Sequence, residues 1–246
     1  LIQAKLEREA ACNALKDEMA EKLTEKFGEE AITGFMVGEA FYAIQKAAVR
    51  KLVLDDGKRL DGRGYDDMRQ LTSEAGMIPR THGSGLFSRG ETQGLSLVTL
   101  GTTDDTQSYD AYTGGPSEKR FMLHYNFPNF SVGETGRIMG PGRREIGHGA
   151  LAERSIAPVI PNIEDFPYAV RITAEIMESN GSTSMAAVCS GTLALLDAGV
   201  PLKRSVAGIS IGLCTRTKDS GEIEDYKLLT DIIGWEDAFC DMDCKI

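Results

Sequence analysis

Apolar residues along the first 55 positions recur every three or four residues. Met19, Leu23 and Phe27 share one helical face, Gly28 follows as a stop, and Phe41, Ile44, Ala48 and Leu52 repeat at the same interval. The spacing predicts two helices forming a small module that carries no site chemistry. At Asp55-Asp56-Gly57-Lys58-Arg59 the helical period stops and turn residues begin. From Asp61 onward the texture becomes short β-rich runs punctuated by glycine, with strands predicted over 91–99, 168–176, 206–214 and 226–230. Helices are predicted over 146–159 and 184–198, the second closed by Gly199 with Pro201 beyond it. Strands and helices mixed without regular alternation favour an α+β fold. The expected organisation is a helical domain over 1–55 and a mixed domain over 56–246.

Composition sets bounds on this picture. A chain of 246 residues with 41% hydrophobic content can bury a real core, which excludes general disorder. No run approaches the ~18 apolar residues of a membrane-spanning helix, and the charged N-terminal run is not a signal peptide, so a soluble, intracellular protein is expected, cytoplasmic in a bacterium or in an organelle if eukaryotic. The start at Leu1, without Met, points to a fragment or a processed product. Five cysteines without a C-x-x-C pair signal neither a disulfide framework nor a zinc site.

A net charge of −10 argues against a protein whose whole surface is basic. The distribution says more. Residues 218–246 hold three lysines against nine acids, whereas residues 112–154 hold six cations against four acids. Within that middle stretch Lys119-Arg120, Arg137 and Arg143-Arg144 are the dense basic candidates.

Three motifs carry candidate chemistry. Glu178-Ser179-Asn180-Gly181-Ser182-Thr183-Ser184 lies between a predicted strand and a predicted helix. Unpaired N–H groups and hydroxyls at a helix start suit a phosphate, and they equally suit a plain Ser/Thr cap. In the acidic tail, Asp237, Asp241 and Asp243 can converge if the chain turns at 238–240, and hard carboxylate oxygens suit Mg²⁺ or Mn²⁺. Strand-like alternation would set Asp241, Asp243 and Lys245 on one face, an arrangement open to phosphoryl transfer or to a solvated acidic edge. Around Gly140-Pro141-Gly142-Arg143-Arg144-Glu145, glycines free the backbone beside paired arginines, which bind phosphates or close a salt-bridged turn. His82, His124 and His148 do not form a metal spacing.

With these residues in view, the chain resembles the polynucleotide phosphorylase family almost end to end. The matching motifs are Lys58 to Gly64, Pro79 to Ser84, Arg89 to Gln93, Arg120 to Pro128, Gly142 to Gly149, Ser179 to Met185 and Asp241-Met242-Asp243. The resemblance implies that residues 1 to about 55 are the helical domain between two ribonuclease-PH-like domains, and that the remainder is most of the second, catalytic one. It also implies that the chain ends before that fold's final elements. The first ribonuclease-PH-like domain and the family's RNA-binding domains would then lie outside it.

The resemblance assigns phosphate binding to Thr183 and Ser184, and RNA or phosphate binding to Arg143 and Arg144 with His148 beside them. It assigns the metal, Mg²⁺ with Mn²⁺ as substitute, to Asp237 and Asp243, with Lys245 as the nearby catalytic lysine. The family's pattern has Asp where this chain has Trp235 and Phe where it has Cys244. The implied activity is reversible 3′→5′ phosphorolysis of single-stranded RNA by inorganic phosphate, releasing nucleoside diphosphates, in a homo-oligomeric ring, a trimer by family resemblance, without membrane contact. A non-catalytic RNA-binding ring subunit is the alternative, and the retained Asp237, Asp243 and Lys245 argue against it.

Overall fold

A computed structural model describes residues 2–28, 30–137 and 139–246. Leu1, on which the reading of the chain's start rests, lies outside them. The fold is α+β. It packs as two compact units that do not follow the order of the chain: Leu1–Met68 with Ile211–Cys244, and Arg69–Ser210 with Lys245–Ile246. The sequence division after residue 55 follows the change in local period, whereas this division follows long-range packing.

The first unit begins with helix α1 (Lys5–Phe27), ended by Gly28 at φ 87°, a left-handed conformation that glycine adopts without penalty. Helix α2 (Gly34–Leu54) follows, with the Thr33 hydroxyl accepting a bond from the Met36 N–H. The buried face of α2 is Val37, Phe41, Val49 and Val53. This corrects the stripe read from spacing, because Ile44 is 58% exposed. Helix α2 is apolar on more than one side, so spacing offered two stripes and packing selected one. Strand β8 (Ser210–Thr217) is the centre of a three-stranded sheet between β9 (Ile223–Thr230) and β10 (Met242–Lys245), and the short helix α5 (Gly234–Phe239) joins the last two. Val49, Leu60, Ile233 and Phe239 form one small core, and Val53, Cys214, Leu229 and Ile232 another.

The second unit is built on a five-stranded sheet in the order β1 (Leu71–Ala75), β2 (Gly83–Arg89), β3 (Thr92–Gly101), β7 (Ala169–Glu178), β6 (Phe121–Asn126), antiparallel except between β6 and β7. Strands β4 (Gln107–Ala111) and β5 (Gly115–Lys119) pair as a separate hairpin. Helices α3 (Arg143–Ile156) and α4 (Thr183–Asp197) pack together on the sheet. Period two decides the faces: Val170, Ile172, Ala174 and Ile176 of β7 are all buried in the main core with Val98, Ile156 and Leu195. The apolar runs predict β3, β7, β8 and β9 but none of β1, β2, β4, β5 or β6. Strand β2 was hidden because its helix-facing positions include Gly83 and Gly85, which carry no apolar signal.

Those glycines allow a close approach. Helix α4 buries twelve of its fifteen residues, and a Cβ on Gly85 would lie 2.6 Å from the Ser190 carbonyl oxygen and 2.8 Å from the Ala194 nitrogen. Beside this contact the Ser96 and Ser190 hydroxyls, both fully buried, meet at 2.7 Å. Gly85→Ala should therefore push β2 off α4 and cost about 1–3 kcal/mol. The check is the denaturation midpoint; a midpoint matching the unsubstituted protein would show that the sheet can yield there.

Candidate active site

Strand β7 delivers the chain to a loop at residues 179–182 that is gripped from three sides. The Arg69 guanidinium donates to the Asn180 carbonyl at 2.7 Å, and Arg89 donates to the Ser182 carbonyl at 3.1 Å. The Thr92 hydroxyl donates to the Gly181 carbonyl at 3.2 Å and accepts from the Asn180 N–H at 3.0 Å. So held, Ser182 adopts φ 50° and ψ 52°, a left-handed conformation that is strained for a residue with a side chain. It stands directly before α4 yet makes no capping bond. The Ser182 and Ser184 hydroxyl oxygens are buried and have no hydrogen-bond partner among the described residues. A plain cap would satisfy the first-turn N–H groups with one of these oxygens, and that is not the arrangement present. A buried hydroxyl without a partner costs about 1–3 kcal/mol, so the start of α4 keeps hydrogen-bonding capacity in reserve where a helix favours an anion.

Thr183 differs from its neighbours. Its hydroxyl meets the Tyr125 phenol at 2.6 Å. Burial pushes the Tyr125 phenol up to about 12, with the Thr183 bond opposing the shift. His148 packs edge-on against the Tyr125 ring at 5.7 Å. The sequence reading missed Tyr125, although the alternation Phe121, Leu123, Tyr125 marks it as an inward-facing strand residue.

Helix α3 starts at Arg143, three residues earlier than the spacing predicts. The Glu145 carboxylate holds that start, accepting from the Gly142 N–H at 2.7 Å and the Phe127 N–H at 3.0 Å. Arg143 and Arg144 are exposed. They sit at the helix end where the dipole disfavours cations, an arrangement that a bound anion relieves. The Arg144 guanidinium lies 4.8 Å from the centre of the Phe127 ring. A groove of about 510 Å³ runs beside α3 and β6, lined among others by Lys119, His124, Tyr125, Asn126 and Glu145. Two basic candidates are otherwise engaged. Arg120 donates to the carbonyls of Pro161, Phe166 and Tyr168, and Lys119 pairs with Glu153. Sequence alone could not separate these from the exposed arginines, because their partners lie 34 to 48 residues away.

In the first unit residues 234–239 form helix α5, which the spacing did not predict, and the three aspartates do not share one role. Asp241 accepts from Arg50 at 2.8 Å and from the backbone and hydroxyl of Thr215 at 2.8 and 2.7 Å. Burial works to raise Asp241, and these bonds outweigh it, leaving the carboxyl at about 2. Asp241 is therefore a structural ligand of Arg50 and leaves the candidate metal set. Asp237 is exposed on α5, and its carboxylate makes no hydrogen bond or ion pair among the described residues; Asp243 is half-buried in β10, and Lys245 ends that strand. No group of three or more His, Cys, Asp or Glu that could hold a metal occurs among the described residues. Two hard carboxylates still fit Mg²⁺, which commonly takes one or two protein carboxylates and fills its remaining positions with water or phosphate oxygens.

Helix α5 has only six residues and is anchored from below by a residue that spacing did not reveal. Arg59 and Glu236 are both fully buried and paired at 2.9 and 2.5 Å, and Arg59 also donates to the carbonyls of Thr230 and Asp231. Glu236 further accepts from the Ile233 N–H at 3.1 Å, closing the helix start. Trp235, where the resembled family has Asp, meets the Arg8 guanidinium at 5.3 Å and the Phe239 ring edge-on at 6.0 Å. That position serves packing in this chain.

Two segments of the chain match known families. Residues 67–201 match the model of the 3′ exoribonuclease family, domain 1, and residues 1–64 that of the polyribonucleotide nucleotidyltransferase RNA binding domain. The chain belongs to the 3′ exoribonuclease family. Within it, the chain is similar to the polyribonucleotide nucleotidyltransferases of Opitutus terrae (53% identical, 100% of this chain and 34% of the relative) and Akkermansia muciniphila (55%, 99% and 34%). That of Bacillus subtilis is 52% identical, with 100% and 34% covered. The chain thus spans about a third of the length of the curated relatives it matches. Among solved structures, rice Rrp46 (TM-score 0.56, 19% identity, 76% of this chain and 80% of that one) shares the fold. So does the Archaeoglobus fulgidus exosome with RNA bound to the active site (0.59, 18%, 83% and 82%).

Removing one partner of a fully buried pair strands the other charge, at about 3–5 kcal/mol. Glu236→Gln should lower unfolding stability by roughly that amount, and an unchanged denaturation midpoint would show that Arg59 finds other compensation. The Asp241 carboxyl, lowered from the ordinary 3.8 to about 2, adds stability above pH 3.8 that is lost as pH falls toward 2. Asp241→Asn should therefore lower the melting temperature near neutrality, with the gap to the unsubstituted protein closing as the pH is lowered. A gap independent of pH would remove the charge of Asp241 as its cause.

Proposed function

We propose that the chain is a catalytic segment of a polyribonucleotide nucleotidyltransferase, a 3′→5′ phosphorolytic exoribonuclease. An oxygen of inorganic phosphate attacks the terminal phosphodiester of single-stranded RNA. The bond from phosphorus to the neighbouring 3′-oxygen breaks, that oxygen takes up a proton, and a nucleoside diphosphate leaves; the reverse reaction extends RNA. Such substitution asks the protein for positioning and charge neutralisation above all.

The observation that carries this reading is Ser184, fully buried, its hydroxyl without a partner at the uncapped start of α4. Thr183 and Ser184 bind the attacking phosphate. Arg143 and Arg144, with His148 one turn on, bind the RNA backbone, which lets a chain of net charge −10 hold RNA through a local basic surface. Asp237 and Asp243 hold Mg²⁺, with Mn²⁺ as substitute, and Lys245 assists. When bound, the metal neutralises charge on phosphate oxygens. The relatives' name supports the activity, and the chain spans about a third of their length. A homotrimeric ring in the cytoplasm completes the reading.

The test is incubation of the full-length protein with poly(A), inorganic phosphate and Mg²⁺. ADP should be released in proportion to phosphate, and chelation of Mg²⁺ should stop it. Ser184→Ala should raise the half-saturating phosphate concentration roughly ten- to a hundredfold, since one hydrogen bond to a charged ligand is worth about 1.5–3 kcal/mol. AMP as the main product would mean hydrolysis, and an unchanged phosphate dependence would return Ser184 to a structural role.

A further inference from the structure

We propose that Tyr125 is the positioning residue of the phosphate site, donating its phenolic hydrogen to the Thr183 hydroxyl so that the hydrogen of Thr183 itself points to the ligand. The proposal rests on the phosphate reading of the hydroxyl run and assigns a role to a residue outside it. Tyr125 is 4% exposed and Thr183 2% exposed. Their oxygens meet at 2.6 Å, and neither makes another hydrogen bond among the described residues.

Two hydroxyls bring two hydrogens to this one contact, so one hydrogen is left over. Its location depends on which oxygen donates. A phenol is the more acidic alcohol and the better donor, and its hydrogen lies close to the ring plane. The ring is fixed, stacked on Phe127 at 6.5 Å between centres and met edge-on by His148 at 5.7 Å. The Thr183 hydroxyl turns about a single bond and suits itself to the donor. The leftover hydrogen then belongs to Thr183, the first residue of α4, next to the unpartnered Ser184 hydroxyl. Burial holds the phenol protonated well beyond neutral pH, so the donor is present at every working pH. Tyr125 also lines the groove beside α3.

The test is phosphorolysis by the full-length protein with inorganic phosphate varied, on the unsubstituted enzyme, Tyr125→Phe, Thr183→Val and the double variant, each checked for folding by thermal unfolding. Tyr125→Phe keeps the ring and should raise the half-saturating phosphate concentration about tenfold, while the saturating rate changes less than about threefold. Because Tyr125 acts through Thr183, the double variant should be no worse than Thr183→Val alone. Replacing Tyr125 by 3-fluorotyrosine, which retains the hydroxyl, should preserve the phosphate dependence, and this arm carries the test if Tyr125→Phe does not fold. The proposal is overturned by an unchanged phosphate dependence in Tyr125→Phe, by losses that multiply in the double variant, or by a tenfold loss with 3-fluorotyrosine. Absence of phosphate-dependent ADP release from the unsubstituted enzyme would instead overturn the proposed function itself.

Discussion

Strand β2 and helix α4 meet backbone to backbone, with no side chain of β2 between them at Gly83 and Gly85. The second unit depends on that contact. It lets a helix of mostly small residues sink into the sheet until twelve of its fifteen residues are buried, and it brings α4 to the sheet at the end where β7 delivers the hydroxyl run. Close packing of this kind tolerates neither added volume nor removed volume. The start of α4 is thereby held without a cap of its own. The grip of Arg69, Arg89 and Thr92 on the loop carbonyls fixes the approach to α4 without occupying its first-turn N–H groups, and the strained Ser182 conformation is maintained from outside. Ser184 keeps its hydroxyl uncommitted as a consequence.

The first unit solves the same problem by charge. A six-residue helix has too few internal hydrogen bonds to stand alone, so α5 is fixed through Glu236 to Arg59, a bidentate pair fully removed from water. Buried pairs contribute little net stability but fix geometry, since any other orientation leaves a charge unpaired. The geometry fixed here is that of the short helix carrying Asp237. Three residues apart in function, Asp237, Asp241 and Asp243 look alike in sequence; the Arg50 and Thr215 bonds to Asp241 set it aside as structure. Basic residues divide in the same way. Arg120 is spent on three backbone carbonyls, while Arg143 and Arg144 face solvent at a helix end that repels them. The net −10 therefore conceals a local basic surface at the start of α3.

The sequence by itself determined what depends on neighbours a few residues away. Both N-terminal helices, the stop at Gly28, the strand runs of β3, β7, β8 and β9 and the helix after Ser182 follow from period, glycine and capping chemistry. So do the identities of the hydroxyls, arginines and carboxylates that supply the candidate chemistry, and the family motifs that name them. Tertiary structure alone decided what depends on partners far along the chain. It chose Val37, Phe41, Val49 and Val53 over the stripe through Ile44, because α2 is apolar on several sides and only its neighbours could select one. It hid β2, whose glycines are informative only against α4. It assigned Asp241 to Arg50, Arg59 to Glu236 and Thr183 to Tyr125, contacts spanning 191, 177 and 58 residues. A hydrogen bond or a packed face has no signature at such distances, because its energy depends on separation in space and not on spacing along the chain.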